Sequence, residues 1–428
     1  MLRPGTEAPG TRRHATEHPR HTALQPERTD TMTAAGHEIR DYPFGPVDRL
    51  DLDPALFEVC GEHPVLRVRL PFGGDGWLVT RYADVRTVLS DPRFSRSAAA
   101  GDHVPRTVAV APPPTSIMGM DPPDHTRLRR RVMRAFTVRS IDALRPRIAE
   151  IVNDLVDTMT EGDGPADLAA VLTWPLPITV ICEMLGVPRA DQDRFTEWVD
   201  GLLILDDPEQ SAHARRQLGD YLAALIARRR AEPTDDLLGE LAADSGKDPL
   251  SEEELVGLGV SLLSAGQEAT ANQIGNFVYT LLTRPALWRE LVADPSIVPR
   301  AVEELSRFIP ISATAGFTRV ATEDLELGGQ LIRAGDAVVA ELGMANHDSE
   351  VFDRPEEIDF HREQIPHVTF GYGIHHCLGA QLARVELRVV LETLVTRLPG
   401  LRLAVPADQL AWRTERLIRG VAALPVSW

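Results

Sequence analysis

The segment Phe370-Gly371-Tyr372-Gly373-Ile374-His375-His376-Cys377-Leu378-Gly379 concentrates more potential chemistry than any other stretch of the chain. Cys377 is its centre. Glycines flank Tyr372, so the backbone can turn tightly there and approach a flat ligand. Leu378, Leu382, Val385 and Val389 recur at helical spacing, which predicts a helix beginning at the cysteine. At a helix N-terminus the free N–H groups and the helix dipole favour a thiolate. A thiolate presented by a glycine loop suits a soft metal or a haem iron. Most free cysteines are simply small buried apolar residues, but the loop glycines and the adjacent His375 and His376 speak against that here. Zinc held by His375, His376 and Cys377 is the rival ligand set. Adjacent ligands fit its tetrahedral geometry poorly, and the chain has no Cys-any-any-Cys pair.

Three further groupings carry possible chemistry. In Leu263-Ser264-Ala265-Gly266-Gln267-Glu268-Ala269-Thr270, the small residues Ala265 and Gly266 let a ligand lie against the backbone. Glu268 is an acid in an otherwise apolar stretch, and taken alone it could equally face solvent. Glu304 and Arg307 stand three apart, a spacing that pairs charges on a helix and is usually worth a few tenths of a kcal/mol at a surface. In Asp121-Pro122-Pro123-Asp124-His125-Thr126-Arg127-Leu128-Arg129-Arg130, prolines precede a helix that puts His125 and Arg129 on one face. Arg127, Arg130, Arg131 and Arg134 read as its solvated side.

The cysteine segment resembles the haem-binding signature of the cytochrome P-450 family: Phe, Gly, any, Gly, any, His, any, Cys, Leu, Gly. Every specified position matches. The resemblance extends over about residues 40–428, with the motifs in the family's order, and implies a fold and a set of roles. Cys377 would ligate the iron of haem b, iron protoporphyrin IX, in a loop that includes Phe370, Gly371 and Gly379. His125, Arg129, Arg319 and His375 match contacts to the haem propionates, which arginine binds as a fork. The stretch 265–270 resembles the oxygen-binding groove, with Ala265, Gly266, Glu268, Ala269 and Thr270 as its candidate catalytic residues. It departs from the pattern in one place: Ala269 stands where the family usually has threonine, and Thr270 follows. A missing hydroxyl removes a hydrogen bond worth on the order of 1 kcal/mol, so a substrate hydroxyl, or a water it holds, is expected to fill the gap, with rotation of the neighbouring Thr270 as the rival. Glu304 and Arg307 match the family's buried pair, completed by Arg362, and the three are expected to brace the cysteine loop.

The activity so implied is insertion of one oxygen atom from dioxygen into a bulky apolar small molecule, such as a macrolide or other polyketide of antibiotic biosynthesis. Electrons would arrive from ferredoxin and ferredoxin reductase, steered to the arginines of the 124–134 stretch. Desaturation, aryl or C–C coupling, a peroxide-driven reaction and a non-catalytic haem-binding protein remain as alternatives. Substrate contacts are expected from the loop near 96–117, Leu262 and Leu263, the segment Ile311–Phe317, and Leu417-Ile418.

These groups need elements to hold them. Ser251 and Glu254 form a capping box ahead of a helical run that ends near Thr283, before Pro285. Such a helix spans roughly 45 Å and would cross a whole domain. Val65 to Leu70 alternates like a half-buried strand and pairs with Gly76 to Val79, while Leu325 to Val339 reads as short strands around glycine turns. Residues 140 to 300 are mainly helical in pattern. The expected fold is mainly α with small β-sheets, a single catalytic domain over residues 39–428. Residues 1–38 are rich in Pro, Thr, Arg and His and read as a disordered tail; its irregularly spaced histidines suit solvent better than a metal.

Composition excludes much else. The chain has 428 residues, 43% hydrophobic and 25% charged, ordinary for a globular protein. Its net charge of -18 opposes nucleic-acid binding. No apolar run approaches the roughly 20 residues of a membrane span, so no membrane anchor is expected. Cys60, Cys182 and Cys377 are too few and too scattered for a disulfide framework, which fits the reducing cytoplasm.

Overall fold

The computed structural model describes residues 39–428 except 46, 102, 110, 163, 203–207, 244–247, 313 and 414–417. The predicted tail, residues 1–38, lies outside the described residues. Residues 40–428 form one compact unit.

The organising element is the helix Glu252–Leu282, 31 residues long. Its start is set as the sequence predicts. Ser251 Oγ accepts the Glu254 N–H at 3.1 Å, and the Glu254 carboxylate accepts the Ser251 N–H at 2.8 Å, so two otherwise orphaned donors are satisfied. Its end is equally local: Thr283 caps it and Pro285 opens the next helix, Pro285–Ala293. The second half, Thr270 to Leu281, is buried on every side, as a helix through the middle of a large core must be. Phe277 is completely enclosed, which contributes about 1.5–3 kcal/mol relative to leaving it in water. Around this axis pack Val138–Thr160, Pro175–Met184, Val298–Phe308 and the C-terminal helix Ala380–Arg397, sharing one apolar core.

The sheets are small. The strands Val65–Leu70 and Gly74–Val79 form an antiparallel hairpin, Val65 opposite Val79. Ala337–Ala340 runs parallel to the second strand and antiparallel to Arg319–Ala321. With Arg40–Asp41 and Phe94–Ser95 these make a six-stranded sheet. The glycine turn expected at Gly328-Gly329 joins Leu325–Leu327 to Gln330–Ile332, with both glycines at positive φ. Fold class and single-domain organisation thus match the sequence reading. Among the described residues no helix is long and apolar enough to cross a membrane.

Candidate active site

Between the long helix and the cysteine loop lies a cavity of about 380 Å³. Ala265, Gly266, Ala269 and Thr270 line it from the long helix, and Phe370, Gly371, His375, Cys377 and Gly379 from the loop. The two motifs, more than a hundred residues apart in the chain, therefore face each other across one space.

The cysteine loop is not built as its helical periodicity suggests. The C-terminal helix begins at Ala380, with Gly379 as its cap residue, so Cys377 precedes the helix rather than opening it. Periodicity runs on through Leu378 because that side chain also points into the protein. The Cys377 N–H donates to the Phe370 carbonyl at 2.8 Å, closing the loop. Burial pushes the Cys377 thiol up, against the pull of the Gly379 N–H and of the Arg129 and Arg384 guanidiniums. Thiolate stabilisation by the protein thus comes from one N–H and two flanking cations instead of a full helix terminus. The glycines also divide their labour differently from expectation. Gly373 has a φ of +73°, and a Cβ there would come within 2.5 Å of the Leu89 carbonyl. That glycine is required by the neighbouring helix Tyr82–Ser90, not by a ligand.

One wall of the cavity is cationic. His125 and Arg129 project from the helix Asp124–Val132, and His375 faces His125 with ring centroids 4.3 Å apart. Arg96, which sequence reasoning assigned only to a substrate loop, lies on the same wall. Arg319 is buried just behind, donating to the Leu89 carbonyl at 3.4 Å, and does not itself line the cavity. Burial lowers all of these bases. Arg96 falls to about 10 and Arg319 to about 9, and His375 falls to about 3 with Arg96, His125 and Arg319 adding repulsion. Both His125 ring nitrogens, His375 Nε2 and Arg96 Nε are buried without a protein partner. Unpaired buried donors beside mutually repelling cations are costly. An anion with several acceptor oxygens, such as a pair of carboxylates, relieves both costs, so this wall fits the propionates of a haem. Arg96 carries no signal in the sequence beyond following a short strand.

The groove residues divide by helix face. Ala269 and Thr270 both line the cavity, and Thr270 is the hydroxyl nearest in sequence to the alanine. Glu268 is buried, contrary to a solvent-facing position, yet lies off the cavity wall. Its carbonyl accepts Asn272 Nδ2 at 2.9 Å. One turn beyond Ala269, Gln273 also lines the cavity, with its Nε2 lacking a protein acceptor.

Most of the segments expected to contact substrate line the cavity. Ile117, Met118, Leu262, Ile311 and Phe317 line the cavity. Leu263 does not; it is fully buried in the core formed with Leu222 and Leu258, because it falls on the other side of the helix. Leu417 lies outside the described residues, and Ile418 pairs with Ser312 across a β-bridge.

Beneath the site, Glu304 and Arg307 are entirely buried, with Arg307 Nη2 donating to Glu304 at 2.7 Å and Arg362 Nε at 2.9 Å. Arg307 also donates to the carbonyls of Asn346, Pro355 and Glu357. Asn346 in turn accepts the Val368 N–H and donates to Thr369, both at 2.8 Å. The link from the charged triad to the cysteine loop therefore runs through Asn346, which the sequence does not flag.

The arginines of the 124–134 stretch are not uniformly solvated. Arg127 pairs with Glu254 and Asp248, and Arg131 donates to the Asp248 carbonyl. These ties dock the helix against the start of the long helix, leaving Arg130 and Arg134 exposed.

Comparison with known proteins agrees with this geometry. The family model for cytochrome P-450 matches residues 75–399. The chain is 49% identical to a nocardicin C N-oxygenase of Nocardia uniformis subsp. tsuyamanensis over 94% of its length and all of that protein's. It is 48% identical to a mycinamicin IV hydroxylase/epoxidase of Micromonospora griseorubida, over 93% of this chain and all of that one. Among solved structures, the LnmA cytochrome P-450 hydroxylase from the leinamycin biosynthetic pathway of Streptomyces atroolivaceus superposes with a TM-score of 0.87 at 47% identity, covering 91% of this chain and 100% of its own. With the signature loop, the groove and the buried charge triad all in place on that fold, the chain belongs to the cytochrome P-450 family.

Proposed function

We propose that this enzyme inserts one atom of dioxygen into a bulky, largely apolar natural product, such as a macrolide or other polyketide, at a haem b held by Cys377. The observation that carries the reading is the composition of one cavity. It has a thiol on its floor, a wall of basic side chains with buried nitrogens lacking a protein partner and a roof of small residues, and is otherwise largely apolar. Relatives named for nocardicin C and mycinamicin IV support an elaborate small molecule as substrate.

When bound, the haem supplies the activation of dioxygen, and its thiolate ligand favours O–O cleavage. The protein's own residues do the rest. His125, Arg129, His375 and Arg96 would hold the propionates, with Arg319 supporting them from behind. Ala265 and Gly266, lacking bulk on the long-helix side of the cavity, would leave room there for a diatomic molecule. Glu268 and Thr270 move protons toward the cavity, and the apolar side chains of Ile117, Leu262, Ile311 and Phe317 exclude water and orient the substrate. Electrons come from a ferredoxin and its reductase, docking over the exposed Arg130 and Arg134.

The test is optical. The haem-loaded protein, reduced and exposed to carbon monoxide, should show the strongly red-shifted main band of thiolate ligation, and Cys377→Ser should lose it. A colourless protein, or a serine variant with an unchanged spectrum, overturns the assignment. A panel of macrolides screened for a spin-state shift then tests the substrate class, and product analysis separates hydroxylation or epoxidation from desaturation or aryl coupling.

A further inference from the structure

Next to the cysteine loop is a charged cluster that the roles above leave unused. Glu303, immediately before the triad glutamate, accepts from three side chains. Arg384 Nε donates to both carboxylate oxygens at 2.9 Å, Arg388 Nη2 to Oε1 at 3.1 Å, and His367 Nε2 lies 3.2 Å from Oε2. Two of these partners touch one ring. The Arg384 guanidinium sits over Phe370, 4.3 Å from its centroid, and the His367 ring is tilted against the same phenyl at 5.8 Å. Phe370 is the residue whose carbonyl takes the Cys377 N–H and which shares the cavity floor with the sulfur.

This arrangement differs from an ordinary ion pair at a surface. Burial alone would raise the Glu303 carboxyl, yet the His367 hydrogen bond and the Arg384 cation hold it down to about 2. The Glu303 carboxylate is therefore ionised throughout the physiological range. A guanidinium on a phenyl face is worth about 0.5–2 kcal/mol and fixes both partners. Arg384 thereby lies against the cysteine loop, its guanidinium on the ring of the residue whose carbonyl takes the Cys377 N–H. Charge and hydrogen bonding around a ligating sulfur are among the levers that set a metal's potential.

We infer that Glu303 is a positioning residue: by clamping Arg384 and His367 on Phe370, it sets the reduction equilibrium of the iron at Cys377. The inference rests on the haem-thiolate reading above and concerns how that site is tuned. Arg384, held against the cysteine loop, stabilises the added electron and favours the ferrous form. Glu303 does so indirectly, although its own charge is negative and by itself favours the ferric form.

Those opposite signs make the test decisive. The ferric/ferrous equilibrium of the haem-loaded protein is measured by dye-mediated redox titration. Glu303→Gln removes a negative charge but loosens the clamp, since one of the two oxygens that accept from Arg384, Arg388 and His367 becomes an NH2 donor. Positioning predicts a shift toward ferric of about tenfold, roughly 59 mV for a one-electron couple. Arg384→Leu should shift the equilibrium in the same direction by a similar factor. Arg384→Lys, which keeps the cation, should stay within about threefold of wild type, and so should Arg388→Leu, which shares Glu303 but does not touch the ring. A shift toward ferrous in Glu303→Gln means that Glu303 acts as a bare charge and overturns the inference, as do unchanged values in Glu303→Gln and Arg384→Leu. If those variants do not retain haem, Glu303→Asp keeps the charge and shortens the reach: a ferric shift supports the clamp, and none refutes it. A wild-type chain lacking the thiolate-type carbon monoxide band would sink the haem-thiolate reading instead, a separate result.

Discussion

Glu304 and Arg362 meet at 2.9 Å, joining a helix to a loop 58 residues away, and Glu304 simultaneously holds Arg307 with no access to water. Removing either partner leaves a buried charge without compensation, a cost of about 3–5 kcal/mol. Glu304→Ala and Arg307→Ala should therefore yield protein that fails to hold haem, measured as haem per chain after reconstitution. Arg307→Lys should fare little better, because one ammonium cannot reach the carboxylate and three carbonyls together. Asn346→Ala should weaken haem retention more mildly, since it cuts only the relay to Val368 and Thr369. A stable, fully loaded Glu304→Ala protein would contradict the bracing role.

Ala269 beside Thr270 sets up a choice that coupling measurements resolve. If a substrate hydroxyl replaces the missing threonine hydroxyl, Ala269→Thr gains little or loses coupling of reductant to product with the natural substrate, and Thr270→Ala changes it little. If Thr270 supplies the hydroxyl, Thr270→Ala should lower coupling severalfold and Ala269→Thr should restore it in the double variant. Placement of both residues on the cavity wall makes the second pattern the expected one, which moves the sequence-based preference away from the substrate.

Arg130 is exposed while Arg127 and Arg131 are tied to Glu254 and Asp248. Arg130→Glu should slow reduction by a ferredoxin several-fold at low salt, with the difference shrinking as ionic strength rises and the Debye length falls below about 10 Å. Arg127→Glu should instead destabilise the fold, by setting two acids against each other at the start of the long helix. Reduction kinetics and thermal unfolding separate the two variants.

Glu303 predicts an acid dependence. Its carboxyl is held at about 2 in the folded protein, below the roughly 4.3 of an unfolded glutamate. A depressed carboxyl contributes stability that is complete above its unfolded value and is lost as pH falls toward its folded one. The stability gap between wild type and Glu303→Gln should thus be constant near neutrality and shrink between about pH 4 and pH 2, measured by denaturant titration at each pH.

Much of the site was legible because its signals are local. The capping box at Ser251 and Glu254, the breaker Pro285 and the alternation of Val65 to Leu70 each depend on neighbours within a few residues, and each forms as read. Cys377, the groove and the Glu304–Arg307 spacing were legible for a related reason: their chemistry is written in residue order. Where reading along the chain went astray, a local pattern was overruled by what packs against it. The periodicity starting at Leu378 extends past the real helix start at Ala380, and Leu263 sits beside a cavity residue yet turns into the core. Gly373 looked like a ligand-facing glycine and is instead pressed against Leu89.

The order of amino acids alone determined the family, the candidate ligand thiol at position 377, the missing hydroxyl at position 269 and the span of the long helix. Only folding decided that Arg96 joins the basic wall, that Asn346 carries the triad's grip to the cysteine loop, and that Glu303 clamps Arg384 and His367 onto Phe370. The reason is physical: backbone propensity acts over a few residues, whereas burial and charge compensation act between groups brought together from distant parts of the chain, and no spacing along it records which ones will meet.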